Sequence, residues 1–355
     1  MRTLAEAVLT VDLGKIEENA RRVCEALGDA DVVGVTKVTC GTPEIARAML
    51  AGGVKAIGES RLENVERMRA AGIDAPFWIL RSTPPDLASE VVRLTDVSLE
   101  SELGACRALD RAAAQEGSRH AVVGMVDVGD LREGMMPTEV AGFVEQVEVL
   151  ENIELLGLGT SLTCYGSVVP SAANLGLLAQ LAEDASKRIG RRLLISGGSS
   201  TSLQLIAGGL APETVDNLRV GEAIVLGVDP ATRERILGLH TDAVTVSAPV
   251  IECRTKPSIP IGECAQDAFG SRPTFVDRGD RMRAICALGR QDAPAEGLQP
   301  VDERVIVLGA SSDHLILDVG DTGRAPELGD AIEFVPGYSA TLALFTSPYV
   351  RKEFR

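Results

Sequence analysis

The side chain best suited to covalent chemistry is Lys37, which ends the apolar run 32–37. Gly41 and Pro43 follow it, and such residues are typical of the end of a strand and the beginning of a helix. A continuous β-branched run with these boundaries predicts a buried parallel strand with Lys37 at its C-terminal end. A desolvated lysine amine loses its proton readily and can form a Schiff base with a carbonyl compound. Alternatively, the amine reaches water at the rim of the sheet or pairs with a carboxylate.

Two further segments carry groups that suit an anion. The stretch 196–202 is rich in Ser and Gly, follows an apolar run and precedes a predicted helix at 203–206. Its small residues allow close backbone approach, and amides at a helix start attract phosphate, although a plain capping turn is the alternative. Arg219 and Glu222 lie within another apolar run, where a buried arginine needs a partner: Glu222, another carboxylate or a ligand atom. Gly221 leaves room there for backbone amides to join a phosphate site.

The lysine, the anion-binding turn and the arginine together match the needs of pyridoxal 5'-phosphate. This cofactor is an aldehyde that a lysine holds as a Schiff base, it carries a phosphate, and it withdraws electrons from a carbon next to an amine. A cofactor-free Schiff-base aldolase for a sugar phosphate is the alternative for the same residues. The loop 127–134 holds two Asp, one Arg and two Gly, which either bind polar substrate groups or form surface ion pairs.

The elements that must position these residues form a repeating pattern. Apolar runs alternate with segments whose apolar residues recur every three or four positions, the period of a helix with one buried face. Eight strand signals predict a (β/α)8 barrel, a fold that places chemistry at the C-terminal strand ends and commonly binds phosphate after the last two strands. A doubly wound sheet is the alternative, but no Gly-rich turn follows Lys37. The predicted strands are 32–37, 56–60, 76–81, 96–101, 120–128, 154–162, 192–198 and 217–224.

Beyond residue 226 the pattern changes to short strand-like runs that Gly, Pro and Asp separate, and helical periodicity becomes scarce. Such a pattern predicts a smaller β-rich C-terminal domain that follows the α/β barrel. We therefore predict a barrel domain over residues 1–235, which would bind the cofactor, and a β-rich domain over residues 236–355.

The composition excludes several classes of partner. The 355 residues include 51 acidic and 35 basic side chains, and the net charge of −16 argues against nucleic acid and anionic membranes. The seven cysteines form no CxxC pair, and the three histidines lie far apart without the spacing of zinc ligands. From this spacing we expect no metal site. The sequence shows no leader pattern and no apolar run of about 18 residues, so we expect a cytoplasmic location.

Several motifs resemble those of a known family, and they extend over nearly the whole chain. They are Val33–Val38, Gly58–Asn64, Val126–Gly134, Ser196–Ser200, Leu218–Ile224, Ile259–Glu263, Gln266–Gly270 and Gly309–Leu315. On these motifs the chain resembles the alanine racemase superfamily of fold-type III pyridoxal-phosphate enzymes, and most of all its alanine/ornithine racemase-like branch. The resemblance implies a racemase that exchanges the α-proton of a free amino acid of the ornithine, lysine or alanine type. Another lyase of this fold type, a decarboxylase or an aldolase, and a non-catalytic cofactor carrier are the alternatives.

The resemblance also implies roles for individual residues. Lys37 is the Schiff-base lysine and one of two racemisation bases, and Arg219 faces the pyridine nitrogen. Decarboxylases of the superfamily carry Glu at the position of Arg219, which argues against decarboxylation here. Arg132 matches the arginine near the substrate carboxylate. The residues that contact the phosphate, largely through backbone N–H groups, are Ser199, Ser200, Gly221 and Glu222.

One departure from the family concerns the second base. Alanine racemases use a tyrosine of the second domain, which in a head-to-tail homodimer completes the partner's active site. The matching stretch Pro260–Cys264 has no tyrosine. The candidates are Cys264, Asp313, His314 and Tyr338, of which we favour the Asp313–His314 pair, since histidine titrates near neutrality. The Tyr338 hydroxyl could instead contact the cofactor phosphate or the substrate.

Overall fold

A computed structural model describes residues 6–211 and 214–355. The chain divides into two compact units. The barrel unit spans Leu13–Thr241, and the sheet unit joins Asp242–Arg355 to the strand β1 (Val8–Val11). The boundary thus lies after Thr241 instead of after residue 235, and β1 lies outside the barrel. Within the described residues, no helix has the length and apolar character that crossing a bilayer requires.

Eight parallel strands of the barrel unit close into a barrel, so the predicted (β/α)8 architecture is confirmed. Most of their residues are buried, because side chains fill the interior and helices cover the outside, and this explains the continuous apolar runs. The barrel closes between its first and last strands, where Val33 aligns with Arg219. The strands are β2 (Asp31–Val35), β3 (Ala56–Glu59), β4 (Phe77–Ile79), β5 (Val97–Glu100), β6 (His120–Met125), β7 (Ile153–Gly159), β8 (Leu194–Ser199) and β9 (Asn217–Val220).

Helices follow the strands, and their ends carry the expected signals. Pro43 begins one helix, and Ser171 caps another by accepting from the amide of Asn174 at 3.3 Å. Their apolar faces pack on the barrel with Leu109, Val144 and other buried residues, which makes the strand ends a rigid platform. The helices are α1 (Leu13–Leu27), α2 (Pro43–Ala51), α3 (Leu62–Ala70), α4 (Ala88–Leu94), α5 (Leu103–Glu116), α6 (Val140–Glu148), α7 (Ala172–Ile189), α8 (Leu203–Ala207) and α9 (Glu222–Leu226).

The sheet unit is β-rich, as predicted, and its described residues contain one α-helix, α10 (Tyr338–Thr346). Its strand β1 runs antiparallel to β10 and parallel to β16. Burial alternates along β1, which is typical of a sheet with one covered face and differs from the fully buried barrel strands. The remaining strands are β10 (Val244–Pro257), β11 (Asp280–Cys286), β12 (Leu298–Pro300), β13 (Ile306–Ala310), β14 (Leu315–Asp318), β15 (Ala331–Pro336) and β16 (Arg351–Phe354).

Candidate active site

Lys37 lies at the C-terminal end of the barrel strands, just beyond β2. A single 3-10 turn begins at this residue, and the amide of Thr39 closes it by donating to the carbonyl of Thr36 at 3.0 Å. The strand is buried, but the side chain of Lys37 is exposed. The side chain of Lys37 therefore projects beyond the buried strand, at the rim of the barrel.

The turn that carries Lys37 is tied to the neighbouring strand β3. The hydroxyl of Thr36 donates to the Glu59 carboxylate at 3.1 Å, and the amide of Ser60 donates to the same carboxylate at 2.6 Å. Glu59 is fully buried, and this burial raises the pKa of its carboxyl although the hydrogen bonds oppose the rise. These two hydrogen bonds to Glu59 fix the backbone from which Lys37 projects.

The Ser/Gly turn after β8 faces the end of β9. The hydroxyl oxygen of Ser200 accepts from the amides of Gly221 and Ala223, at 3.3 and 3.2 Å. A Cβ at Gly221 would lie 2.9 Å from the carbonyl oxygen of Val35, so only glycine lets β9 end this close to β2. The turn, these amides and the end of β2 therefore converge at one end of the barrel.

The carboxylate of Glu222 pairs with Arg233 and not with Arg219, which removes one of the partners considered for the buried arginine. Burial raises the pKa of the Glu222 carboxyl, and the charges of Arg233 and Lys37 oppose this rise. The field of the Lys37 amine thus reaches the residue that follows Gly221.

Arg219 is 5% exposed, and its guanidinium finds neutral acceptors in place of a carboxylate. It donates to the hydroxyl of Ser196 on β8 and, at 2.5 Å, to the carbonyl of Thr160 after β7. Burial lowers the pKa of Arg219 to about 10; the charge of Glu133 opposes this shift, and the charge of Arg132 adds a smaller lowering. Arg219 therefore stays cationic at neutral pH.

Arg132 and Glu133 form an ion pair of 2.5 Å on the loop after β6. The structure therefore brings Arg132, from the predicted substrate loop, into the electrostatic surroundings of Arg219. The cluster at this end of the barrel contains the predicted residues Lys37, Arg132, Ser199, Ser200, Arg219, Gly221 and Glu222.

The other predicted residues belong to the sheet unit. Cys264 is exposed, with its thiol 3.9 Å from the carbonyl of Gly262. Asp313 and His314 are exposed at the turn between β13 and β14, where Nδ1 of His314 lies 3.4 Å from the Ser311 hydroxyl. Tyr338 is half-buried at the start of α10.

Comparison with known proteins identifies the family. Residues 11–229 match the family model for the alanine racemase N-terminal domain. The chain belongs to the alanine racemase family. It is 39% identical to the ornithine racemase of Acetoanaerobium sticklandii, over 97% of this chain and 98% of that protein. It is 40% identical to the lysine racemase of Thermotoga maritima, over 98% of each chain.

Solved structures of the family share the fold. The alanine racemase of Streptomyces lavendulae superposes with a TM-score of 0.77 at 18% identity, over 100% of this chain and 98% of that one. The alanine racemase of Bartonella henselae, which holds covalently bound pyridoxal phosphate, gives 0.76 at 19% identity, over 99% and 100%. The chain is an amino-acid racemase of a family that depends on pyridoxal phosphate.

The residues of this racemase fit that cofactor. The aldehyde of the cofactor requires an amine, its phosphate requires convergent hydrogen-bond donors, and its ring nitrogen requires a polar contact. All three must lie at one end of the fold. Lys37, the amides that meet at Ser200, and Arg219 supply these three groups. In addition, the Ser202 hydroxyl in the same turn is buried without a hydrogen-bond partner among the described residues. A buried hydroxyl of this kind is expected where a ligand supplies the missing acceptor.

Two supporting residues of this racemase were missed by sequence reasoning, although both lie in quoted motifs. Ser196 holds the guanidinium of Arg219, and Glu59 holds the turn of Lys37. The usable signal was a small polar or acidic residue within an apolar barrel strand, since a buried polar group needs a partner.

Proposed function

We propose that this racemase interconverts the enantiomers of a free amino acid of the ornithine, lysine or alanine type. The relatives named ornithine racemase and lysine racemase support a basic amino acid first. The observation that carries the proposal is the meeting of the Gly221 and Ala223 amides at Ser200, on the same end of the barrel as the exposed Lys37 amine.

We assign the cofactor contacts to residues at the C-terminal end of the barrel strands, with one further contact from Tyr338 of the sheet unit. The Lys37 amine would hold the aldehyde, and Ser199, Ser200, Gly221 and Glu222 would hold the phosphate together with Tyr338. Arg219 would face the ring nitrogen and, because its guanidinium stays cationic, would keep that nitrogen from gaining a proton. When bound, the cofactor withdraws electrons from the α-carbon of the substrate, and an unprotonated ring does so more weakly. This suits proton exchange better than decarboxylation.

Two bases are needed because racemisation removes the proton from one face of the α-carbon and returns it to the other. We assign the Nζ atom of Lys37 to one face and the Asp313–His314 pair to the opposite face, with Cys264 as the competing candidate. Arg132 would hold the α-carboxylate through its guanidinium. We further propose a cytoplasmic head-to-tail homodimer, in which the sheet unit of one subunit completes the site of its partner.

The test combines cofactor attachment with proton exchange. The full chain is reconstituted with pyridoxal 5'-phosphate and incubated with L-ornithine, L-lysine or L-alanine in heavy water. We expect α-deuterium in both enantiomers of a basic amino acid, a racemic end point, and a cofactor adduct on Lys37 after borohydride reduction. Lys37→Ala should lose both results. Lys55→Ala, at the opposite end of the barrel strands, should lose neither.

Other outcomes would overturn the proposal. Release of carbon dioxide or of an aldehyde from the amino acid would indicate a lyase. An adduct on Lys37 without deuterium exchange into any amino acid would indicate a carrier.

A further inference from the structure

The loop after β7 is held by a carboxylate that belongs to another loop. Asp130, in the loop after β6, is 1% exposed. One of its oxygens accepts from the amides of Thr163 and Val168, at 3.0 and 3.2 Å. The other accepts from Cys164 and Tyr165, at 3.2 and 2.9 Å. Burial acts to raise the pKa of the Asp130 carboxyl, but these backbone donors outweigh it and lower the pKa, so the carboxylate is the stable form.

The conformation of the loop after β7 depends on this carboxylate. Thr163 has a φ of 60°, a left-handed conformation that is unfavourable for a β-branched residue. Gly166 packs against the backbone of Asp130, where an added Cβ would lie 2.5 Å from the Asp130 carbonyl oxygen. Leu162 is fully buried and the Thr163 hydroxyl donates to the Val168 carbonyl at 2.8 Å, but the four amide contacts are the ones that tie this strained segment to the loop after β6.

Both loops adjoin Arg219. The loop after β7 begins at Thr160, whose carbonyl accepts from the guanidinium at 2.5 Å. The charges of Glu133, Arg132 and Cys164 all act on the pKa of Arg219, so both loops surround the same buried side chain. By joining the two loops, Asp130 fixes the position of Arg132 relative to Cys164.

We propose that Asp130 is a positioning residue for the amino-acid substrate, and that it acts by locking residues 161–168 beside Arg132. This inference rests on the proposed function, because it takes the space next to Arg132 as the substrate site. None of the cofactor contacts assigned above comes from residues 161–168, and the Thr160 carbonyl that holds Arg219 lies before this segment. Loss of the lock should therefore weaken substrate binding and leave cofactor attachment intact.

Asp130→Asn tests the proposal in the reconstituted holoenzyme, because an amide nitrogen would face two of the four donors. We expect hydrogen exchange at the amides of residues 163–168 to become at least about tenfold faster. We expect KM for L-ornithine and L-lysine to rise about tenfold while kcat changes less than about threefold. The visible absorbance of the bound cofactor should be unchanged.

Asp127→Asn is the matched control. Asp127 also accepts two amides, from Gly129 and Leu131 at 2.8 and 3.2 Å, but both lie in its own loop. Exchange at residues 163–168 should therefore stay as in the wild type. Gly166→Ala, which pushes the loop off the Asp130 backbone, should reproduce the KM effect and serves if Asp130→Asn does not fold.

The inference is overturned if exchange at residues 163–168 is unchanged in Asp130→Asn, or if it rises while KM does not. Failure of the proposed function has a different signature. In that case the wild type itself would racemise none of the amino acids. Hydrogen exchange at the amides would still show whether Asp130 holds residues 161–168 in place.

Discussion

The guanidinium of Arg219 donates to the hydroxyl of Ser196, which in turn donates a hydrogen bond to Oδ1 of Asn217 at 2.5 Å. Arg219 also donates to the carbonyl of Thr160 at 2.5 Å. Two neutral acceptors fix the position of this planar cation, and neither of them offsets its positive charge as a carboxylate would. The barrel therefore presents a fixed positive group where the cofactor ring is expected.

Arg219→Lys tests this arrangement. A lysine is a point charge that cannot reach both acceptors in the same geometry, so one buried acceptor loses its donor. We expect a loss of about 1–3 kcal/mol in the free energy of unfolding. We also expect α-proton exchange to slow by tenfold or more, roughly, because the charge near the ring is displaced. Urea unfolding and deuterium exchange measure the two effects.

Arg192→Lys is the control for that substitution. Arg192 is 67% exposed and pairs with Asp216 on the surface, so its replacement should change stability by less than about 0.5 kcal/mol. An Arg219→Lys enzyme that exchanges the α-proton as fast as the wild type would contradict the role assigned to Arg219.

The barrel could be predicted from the sequence because its signals are local. Each strand is an apolar run, and the (β/α)8 order follows from counting the runs. The placement of β1 in the sheet unit could not be predicted, since Val8 pairs with Ser247, far away in the chain. Long-range pairing of a short strand leaves no local pattern.

The site was predicted at the level of residue types but not of contacts. A buried Arg219 needs a partner, and the sequence offered Glu222; the choice of Ser196 depends on how β8 lies beside β9. Asp130 stood out as one of two Asp in a polar loop, but its amide donors lie more than 30 residues further along the chain. Such contacts depend on loop conformation, which residue patterns do not encode.

The second base can be identified from the enantiomer that stops exchanging. His314→Ala should keep α-deuterium exchange on one face of the substrate, where Lys37 acts, and lose it on the other. Racemisation should fall by roughly 10²-fold or more, the usual effect of removing an acid–base group. Chiral chromatography with mass detection, starting from each enantiomer, measures both. If Cys264→Ser shows this pattern and His314→Ala does not, the thiol is the second base.

Gly221→Ala should weaken the phosphate end of the site. The new methyl group would lie 2.9 Å from the Val35 carbonyl oxygen and 3.0 Å from the Val35 Cβ, so backbone must shift. We expect a loss of about 1–3 kcal/mol in stability and faster loss of the cofactor on dialysis. Gly176→Ala is the control: it lies within α7 with open space around its Cβ position, and alanine there should stabilise by about 0.5–1 kcal/mol. Equal stability of the two variants would contradict the close approach of β9 to β2.

His120 should make the fold sensitive to acid. It begins β6, is 2% exposed, and its Nε2 has no hydrogen-bond partner among the described residues. Burial lowers the pKa of His120 to about 4, whereas an unfolded histidine titrates near 6.5. Between these values only the unfolded state binds the proton, so the free energy of unfolding should fall as the pH drops from 6.5 towards 4, by at most roughly 1.4 kcal/mol per pH unit.

His120→Leu removes this titration and keeps an apolar side chain in the barrel. Urea unfolding at pH 7, 6 and 5, with the cofactor at one concentration throughout, gives the slope of stability against pH for each protein. Carboxylates also contribute to the slope in the wild type, and they do so equally in the variant. The difference between the two slopes therefore reports His120 alone: the variant should lose less stability between pH 6.5 and 5. Parallel slopes would mean that His120 is protonated in the folded barrel as easily as in the unfolded chain.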